Sequence, residues 1–146
     1  MDTSIIIGSD HAGFELKEKI RTHLSTRGYT VEDAGTFNAS SVNYVDYGKK
    51  VAAAISQGRF ARGILVCGSG IGMSMAANRY PGVRAAVCSD LFSAMMSRRH
   101  NDANILALGS RISGDGLAIA MVDGFLDTKF DGGRHLDRIR SMDSQD

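Results

Sequence analysis

The chain has 146 residues, with 17 Lys and Arg against 16 Asp and Glu for a net charge of +1, two Cys, one Pro and no Trp. Domains run to roughly 100–200 residues, so one domain over residues 1–146 is expected, and near-neutral charge without a Lys/Arg-rich block excludes the broad electrostatic footprint of a nucleic-acid binder. The longest apolar stretch, Leu117 to Val122, is far short of the ~20 residues of a membrane span. No leader pattern precedes Ile5-Ile6-Ile7, so a cytoplasmic chain with reduced thiols and no membrane or nucleic-acid partner is expected.

Taken in order, Ser4 to Ile7 reads as a buried strand, and Ala12 to Arg27 as an amphipathic helix with Ala12, Leu16, Ile20 and Leu24 on one stripe, closed by Gly28. Tyr29 to Glu32 predicts a second strand, and Tyr44 to Gln57 a helix ending at Gly58. Gly63 to Cys67 is the clearest strand. It runs through Gly68-Ser69-Gly70-Ile71-Gly72 into a short helix, Met73 to Arg79. Val83 to Cys88 and Asn104 to Leu108 are further strands around a helix from Leu91 to Arg99; helices from Asp115 to Leu126 and from near Gly133 follow, with Ser141 to Asp146 expected as a mobile tail. Alternating elements with strands apolar on both faces predict a three-layer α/β/α, Rossmann-like fold on a five-stranded parallel sheet.

Glycine is in excess, 17 of 146 residues, against an average near ~7%. Gly28, Gly58, Gly63 and Gly82 read as punctuation, whereas Gly8, Gly35, Gly68 and Gly109 each follow a strand, at the edge where open α/β sheets bind ligands. Three glycines in five residues, 68 to 72, leave backbone N–H groups to meet an anion. The third glycine comes one residue early for a dinucleotide fingerprint, no Lys follows Gly72 for a nucleotide P-loop, and Met73 stands where a phosphatase loop needs Arg. What survives is a thiol, Cys67, at the mouth of an anion cradle, suited to act as base or nucleophile or else a small buried hydrophobe, the reading preferred for Cys88. Asp10-His11 lies at the same edge, although Asp10 also suits a helix cap. His100-Asn101-Asp102 precedes the fifth strand, and Arg111 follows Gly109. Arg134 and Arg138 share a helix face and suit a phosphate or a surface ion pair, the reading preferred for Arg140. His23 is expected to be solvated, and His135 has no assignment from pattern.

Five ordered motifs then carry a resemblance: Gly8-Ser9-Asp10-His11-Ala12-Gly13-Phe14; Cys67 to Ser74 with Ala76-Ala77-Asn78; Arg84-Ala85-Ala86; His100 to Asn104 with Leu108-Gly109-Ser110-Arg111; and Gly132-Gly133-Arg134-His135. The chain resembles the type B ribose-5-phosphate isomerases and related sugar-phosphate isomerases, nearly end to end. The resemblance implies that Cys67 moves a proton between C1 and C2 of an open-chain sugar phosphate, that the N–H groups of Gly68, Ser69, Gly70, Ile71 and Gly72 stabilise the enediolate, and that His100 opens the furanose ring. It further implies hydroxyl contacts from Ser69 and Asp10, a phosphate clamp of His11, Arg111, Arg134 and Arg138, sugar placement by Tyr44 and Asn101, no metal or organic cofactor, and a homodimer or dimer of dimers with the site at the subunit interface. Relatives without the strand-end Cys carry Glu at the position matching Met73, which leaves Cys67 as the loop's one base here. In Asn43-Tyr44-Val45, Asn and Val stand where relatives often carry Asp and Pro. Ribose 5-phosphate is the expected substrate, with four- or six-carbon sugar phosphates, or a non-catalytic binding role, as alternatives.

Overall fold

The computed structural model describes residues 2–146. Five strands, β1 (Ser4–Ser9), β2 (Thr30–Asp33), β3 (Arg62–Cys67), β4 (Ala85–Val87) and β5 (Ile105–Gly109), alternate with α1 (Phe14–Thr26), α2 (Tyr44–Ser56), α3 (Ile71–Ala77), α4 (Leu91–Arg99), α5 (Asp115–Asp127) and α6 (Arg134–Asp143). All strand pairs are parallel, in the order β2-β1-β3-β5-β4. The expected three-layer α/β/α, Rossmann-like architecture is what the chain adopts.

Side chains alternate across a strand, and here the alternation divides the core. Ile5, Ile7, Ile64, Val66, Leu106 and Leu108 pack against α1, α4 and α5 through Leu16, Ile20, Ala94, Met121 and Phe125. Ile6, Leu65, Cys67, Ile105 and Ala107 face the other way, onto α2 and α3 through Val51, Ile55, Met73 and Ala77. Continuous burial along β3 and β5 follows from cover on both faces. The edge strand β2 is only half covered and alternates between exposed and partly buried positions.

Local chemistry sets the helix ends. Asn43 Oδ1 accepts the Val45 amide at 3.0 Å and caps α2, so the Asn does the work an Asp would do there. Asp90 caps α4 by accepting the Ser93 amide at 2.7 Å. Gly28 and Gly58 take φ of +87° and +74° just past α1 and α2, in open space, as turn punctuation. Gly63 is different: a Cβ there would lie 2.9 Å from Val51 Cγ1, so it is a packing glycine.

Three further expectations are corrected. Strand β4 is three residues long rather than six, because the Arg84 amide donates to the Asn104 side chain instead of a ladder. Helix α6 runs through Asp143, which Arg84 meets at 3.4 Å, so residues 141–143 are helical rather than part of a tail. His23 is not simply solvated; its Nε2 lies 2.7 Å from Asp123 Oδ1, a carboxylate shared with Arg27.

Lys17 is fully buried on α1, its ammonium 2.6 Å from Asp33 and donating also to the Thr36 carbonyl, which ties the end of β2 to the helix. Removing one partner of a buried pair strands the other charge. Asp33→Ala is therefore expected to lower stability by about 3 kcal/mol in urea unfolding, whereas Glu32→Ala, in the exposed pair with Arg59, should change it by less than about 1 kcal/mol.

Candidate active site

In the strand order β2-β1-β3, successive connections leave β1 and β3 in opposite directions, and the crevice at such a switch point is where open α/β sheets place ligands. Asp10 and His11 leave the sheet there after β1, and Cys67 ends β3 beside them. The Asp10 amide donates to the Val66 carbonyl at 3.2 Å, and Ser110 Oγ donates to the Ala12 carbonyl at 2.8 Å, tying the loops after β1, β3 and β5 together. Asp10 itself is buried, with Oδ1 accepting the Gly13 amide at 2.9 Å. That bond closes the turn before α1, whose N-cap is Gly13 without a side-chain cap, so Asp10 is not the helix cap, and its Oδ2 has no protein partner among the described residues.

Cys67 is 5% exposed, and its Sγ accepts the Gly70 amide at 3.1 Å. Gly70 reaches that position with φ +78°, an arrangement that also brings its Cα onto the Leu108 carbonyl of β5. Ser69 Oγ accepts the Ile71 amide at 3.3 Å, while the amides of Ser69 and Gly72 have no protein acceptor among the described residues. Gly68 keeps its Cα clear for Arg111, whose Nη1 would be 3.3 Å from a Cβ. Gly72 does the same for Tyr44, whose ring would come within 2.6 Å. His11 Nδ1 accepts the Val42 amide at 3.1 Å, so that nitrogen carries no proton and Nε2 is the ring's donor. Met73, the neighbour that cannot take a proton, is fully buried in the core.

A second group lies at the other end of the sheet. Helix α4 returns the chain from the carboxyl end of β4 to the amino end of β5, so His100 and Asn101, just past its last turn, stand at the amino edge. His135, on the first turn of α6, stacks on His100 with centroids 4.4 Å apart and 12° between the planes. Arg134 and Arg138 are exposed on the same helix. Neither they nor Arg111 form an ion pair among the described residues, whereas Arg140 reaches Asp137 at 4.0 Å, as its surface reading required. A cavity of about 450 Å³ opens beside this group, between Asn101, Arg84 and Met142. Cys67 pairs with Gly109 and β5 begins at Ile105, so the two groups are separated by at least about 13 Å at ~3.3 Å per residue. Within one chain, Cys67, the 68–72 loop, Asp10, His11, Tyr44 and Arg111 come together, and His100, Asn101, Arg134 and Arg138 form a set of their own.

Pattern reasoning did not find the Val42 amide that holds His11, Gly13 packed against the Val66 carbonyl, or the partnership of His100 with His135 and Asp131. The Asp131–His135 spacing across a diglycine is the signal that was available for the last. Ligand atoms of His100, Asp131 and His135 lie within 4.8 Å of one another, with the two rings stacked nearly parallel. Cys88 keeps its inert reading: burial, with the Asp90 carboxylate adding to it, pushes its thiol up to about 11.

Known proteins match the chain over nearly its whole length. Residues 5–142 match the family model described as Ribose/Galactose Isomerase. The chain belongs to that family, and it is an isomerase. It is 46% identical over 138 residues to the ribose-5-phosphate isomerase B of Escherichia coli K12, covering 94% of this chain and 93% of that one. It is 40% identical over 141 residues to the D-erythrulose-4-phosphate isomerase of Pectobacterium atrosepticum, covering 95% and 92%. The solved ribose-5-phosphate isomerase B of Clostridium thermocellum superposes with a TM-score of 0.95 at 52% identity, covering 96% of this chain and 95% of that one. Among the described residues, no helix is long and apolar enough to cross a membrane.

A Cβ at Gly109 would lie 2.7 Å from the Ser69 carbonyl carbon and oxygen, so Gly109→Ala must lift the 68–72 loop off β5. Misplacement on the ångström scale costs up to ~10²-fold in rate. The variant is expected to keep its circular dichroism spectrum and lose isomerase activity at least about tenfold in a coupled assay.

Proposed function

We propose that the chain interconverts ribose 5-phosphate and ribulose 5-phosphate through a cis-enediolate, with Cys67 as the base. The observation that carries the reading is the thiol at the mouth of the 68–72 loop, oriented by the Gly70 amide, beside the unpaired amides of Ser69 and Gly72. With C2 of the open-chain aldose at Cys67, the sulfur takes the C2 proton and the C1 carbonyl oxygen gains negative charge against those amides. The proton returns to C1 as a hydroxyl proton moves from O2 to O1, which gives the ketose without a cofactor. Ser69 and the free oxygen of Asp10 are placed to hold sugar hydroxyls.

Ring opening needs an acid within ~2.6–3.2 Å of the ring oxygen, which is itself within a few bonds of C2. His100 of the same chain stands about 13 Å or more from Cys67 and cannot serve that sugar. We therefore assign His100, Asn101, Arg134 and Arg138 to a second copy of the chain, and His11, Tyr44 and Arg111 to the copy that supplies Cys67. An isologous dimer makes two such sites. The exposure of Ile71 (49%), Met75 (62%), Val87 (44%) and Phe92 (71%) on α3, β4 and the start of α4, beside Cys67, supports a mating surface there. Two free, buried cysteines suit a cytoplasmic enzyme.

Cys67→Ala is expected to lower kcat on ribose 5-phosphate at least about 10²-fold with phosphate binding retained; an active variant would sink the base assignment and favour a binding role. Arg134→Ala and Arg138→Ala should raise KM roughly tenfold through loss of a charge-assisted contact, and an unchanged KM would misplace the clamp. Mixing inactive Cys67→Ala with inactive His100→Ala protein should restore up to about a quarter of the activity as hybrid dimers form. Failure to recover activity despite subunit exchange would rule out the composite site. A panel of four-, five- and six-carbon sugar phosphates compared by kcat/KM decides the substrate.

A further inference from the structure

In the Gly132-Gly133-Arg134-His135 motif the proposed chemistry gives Arg134 a task and leaves the His135 imidazole without one. The end of α4 and the turn before α6 are joined at three points. The Asp131 amide donates to the Arg99 carbonyl at 3.0 Å, the Arg99 guanidinium meets the Asp131 carboxylate at 3.2 Å, and the two imidazoles stack. Gly132 and Gly133, with φ of +68° and +59°, bend the chain so that the first turn of α6 starts against His100. The His100 backbone is held by its amide N–H, which donates a hydrogen bond to the Met96 carbonyl at 2.9 Å, but its exposed ring makes no hydrogen bond among the described residues. The stack is therefore the contact that orients that ring.

The electrostatics suit such a support. Desolvation first, then the neighbouring His100, Arg134 and Arg138, push His135 toward its neutral form, with Asp131 opposing. A neutral ring lies flat on one that gains and releases a proton without like-charge repulsion. The same positive surroundings, with Asp131 already paired to Arg99, oppose a cation among these three residues.

We propose that His135 is a positioning residue for His100, holding its imidazole by the stack in the orientation that protonates the sugar ring oxygen; this rests on the ring-opening role assigned to His100. The test is a double-mutant cycle on the full-length enzyme with ribose 5-phosphate, with thermal melts to verify folding. His135→Ala is expected to lower kcat/KM about tenfold, mainly in kcat with KM within about twofold, as loss of orientation predicts. His135→Phe, which keeps a flat ring and removes both nitrogens, should recover most of that loss. In a His100→Ala background, whose small residual rate is read at high enzyme concentration, His135→Ala should have no further effect. An equal loss in both backgrounds, a change confined to KM, or no rescue by Phe overturns the positioning role and leaves the His100 assignment standing. A fully active His100→Ala enzyme overturns both.

Discussion

The backbone of the loop after β3 lies directly on the end of β5, and hydrogen is the only side chain that permits it. A Cβ at Gly109 would sit 2.7 Å from Ser69 backbone atoms, and one at Gly70 would sit 2.9 Å from the Leu108 carbonyl carbon. With the loop pressed down, the Gly70 amide reaches Cys67 Sγ, the Ser69 hydroxyl accepts the Ile71 amide, and the amides of Ser69 and Gly72 have no protein acceptor among the described residues. Gly72 continues the effect outward by admitting the Tyr44 ring. The Cys67 thiol, the loop amides and the Tyr44 wall thus depend on one close contact between two stretches of backbone; under the proposed chemistry, donors held this way would act on developing charge without reorganising.

The chain's topology has a second consequence. In a parallel sheet every crossover helix carries the chain back to the amino edge, so a residue following a strand and a residue preceding one are held a strand's length apart. Cys67 follows β3 and His100 precedes β5, and α6 begins beside the end of α4. The reactive residues therefore form two constellations, each internally ordered. Under the proposed chemistry, neither is complete until a second copy brings its opposite edge into place. Arg111, Arg134 and Arg138, which form no ion pair among the described residues, fit this division, since a cation already matched by a carboxylate has less to offer a phosphate.

Much of the fold was legible because its strands are short apolar runs and its helices carry clear stripes. Ile5 to Ile7 and Gly63 to Cys67 are buried on both faces, and Leu16, Ile20 and Leu24 line one side of α1. The misreadings came where a side chain replaced the ladder or a distant partner intervened. Asn104 takes the Arg84 amide and shortens β4, Arg84 holds Asp143 near the end of α6, and Asp123 binds His23 across 100 residues of sequence. Gly63 looked like Gly28 in sequence, yet one is pressed against Val51 and the other stands in open space.

By itself, the sequence determined the layer architecture and the glycine-rich loops at the carboxyl edge of the sheet, with the chemical types they carry, because periodicity and glycine spacing are local properties of the chain. It also determined which family the protein belongs to, since the ordered motifs are linear. Only the tertiary structure decided that Cys67 and His100 stand at opposite ends of the sheet, that His11 presents Nε2, and that His135 lies flat on His100. Those facts depend on strand order, on the direction in which each helix returns, and on contacts between residues distant in sequence. Spacing along the chain carries none of that information.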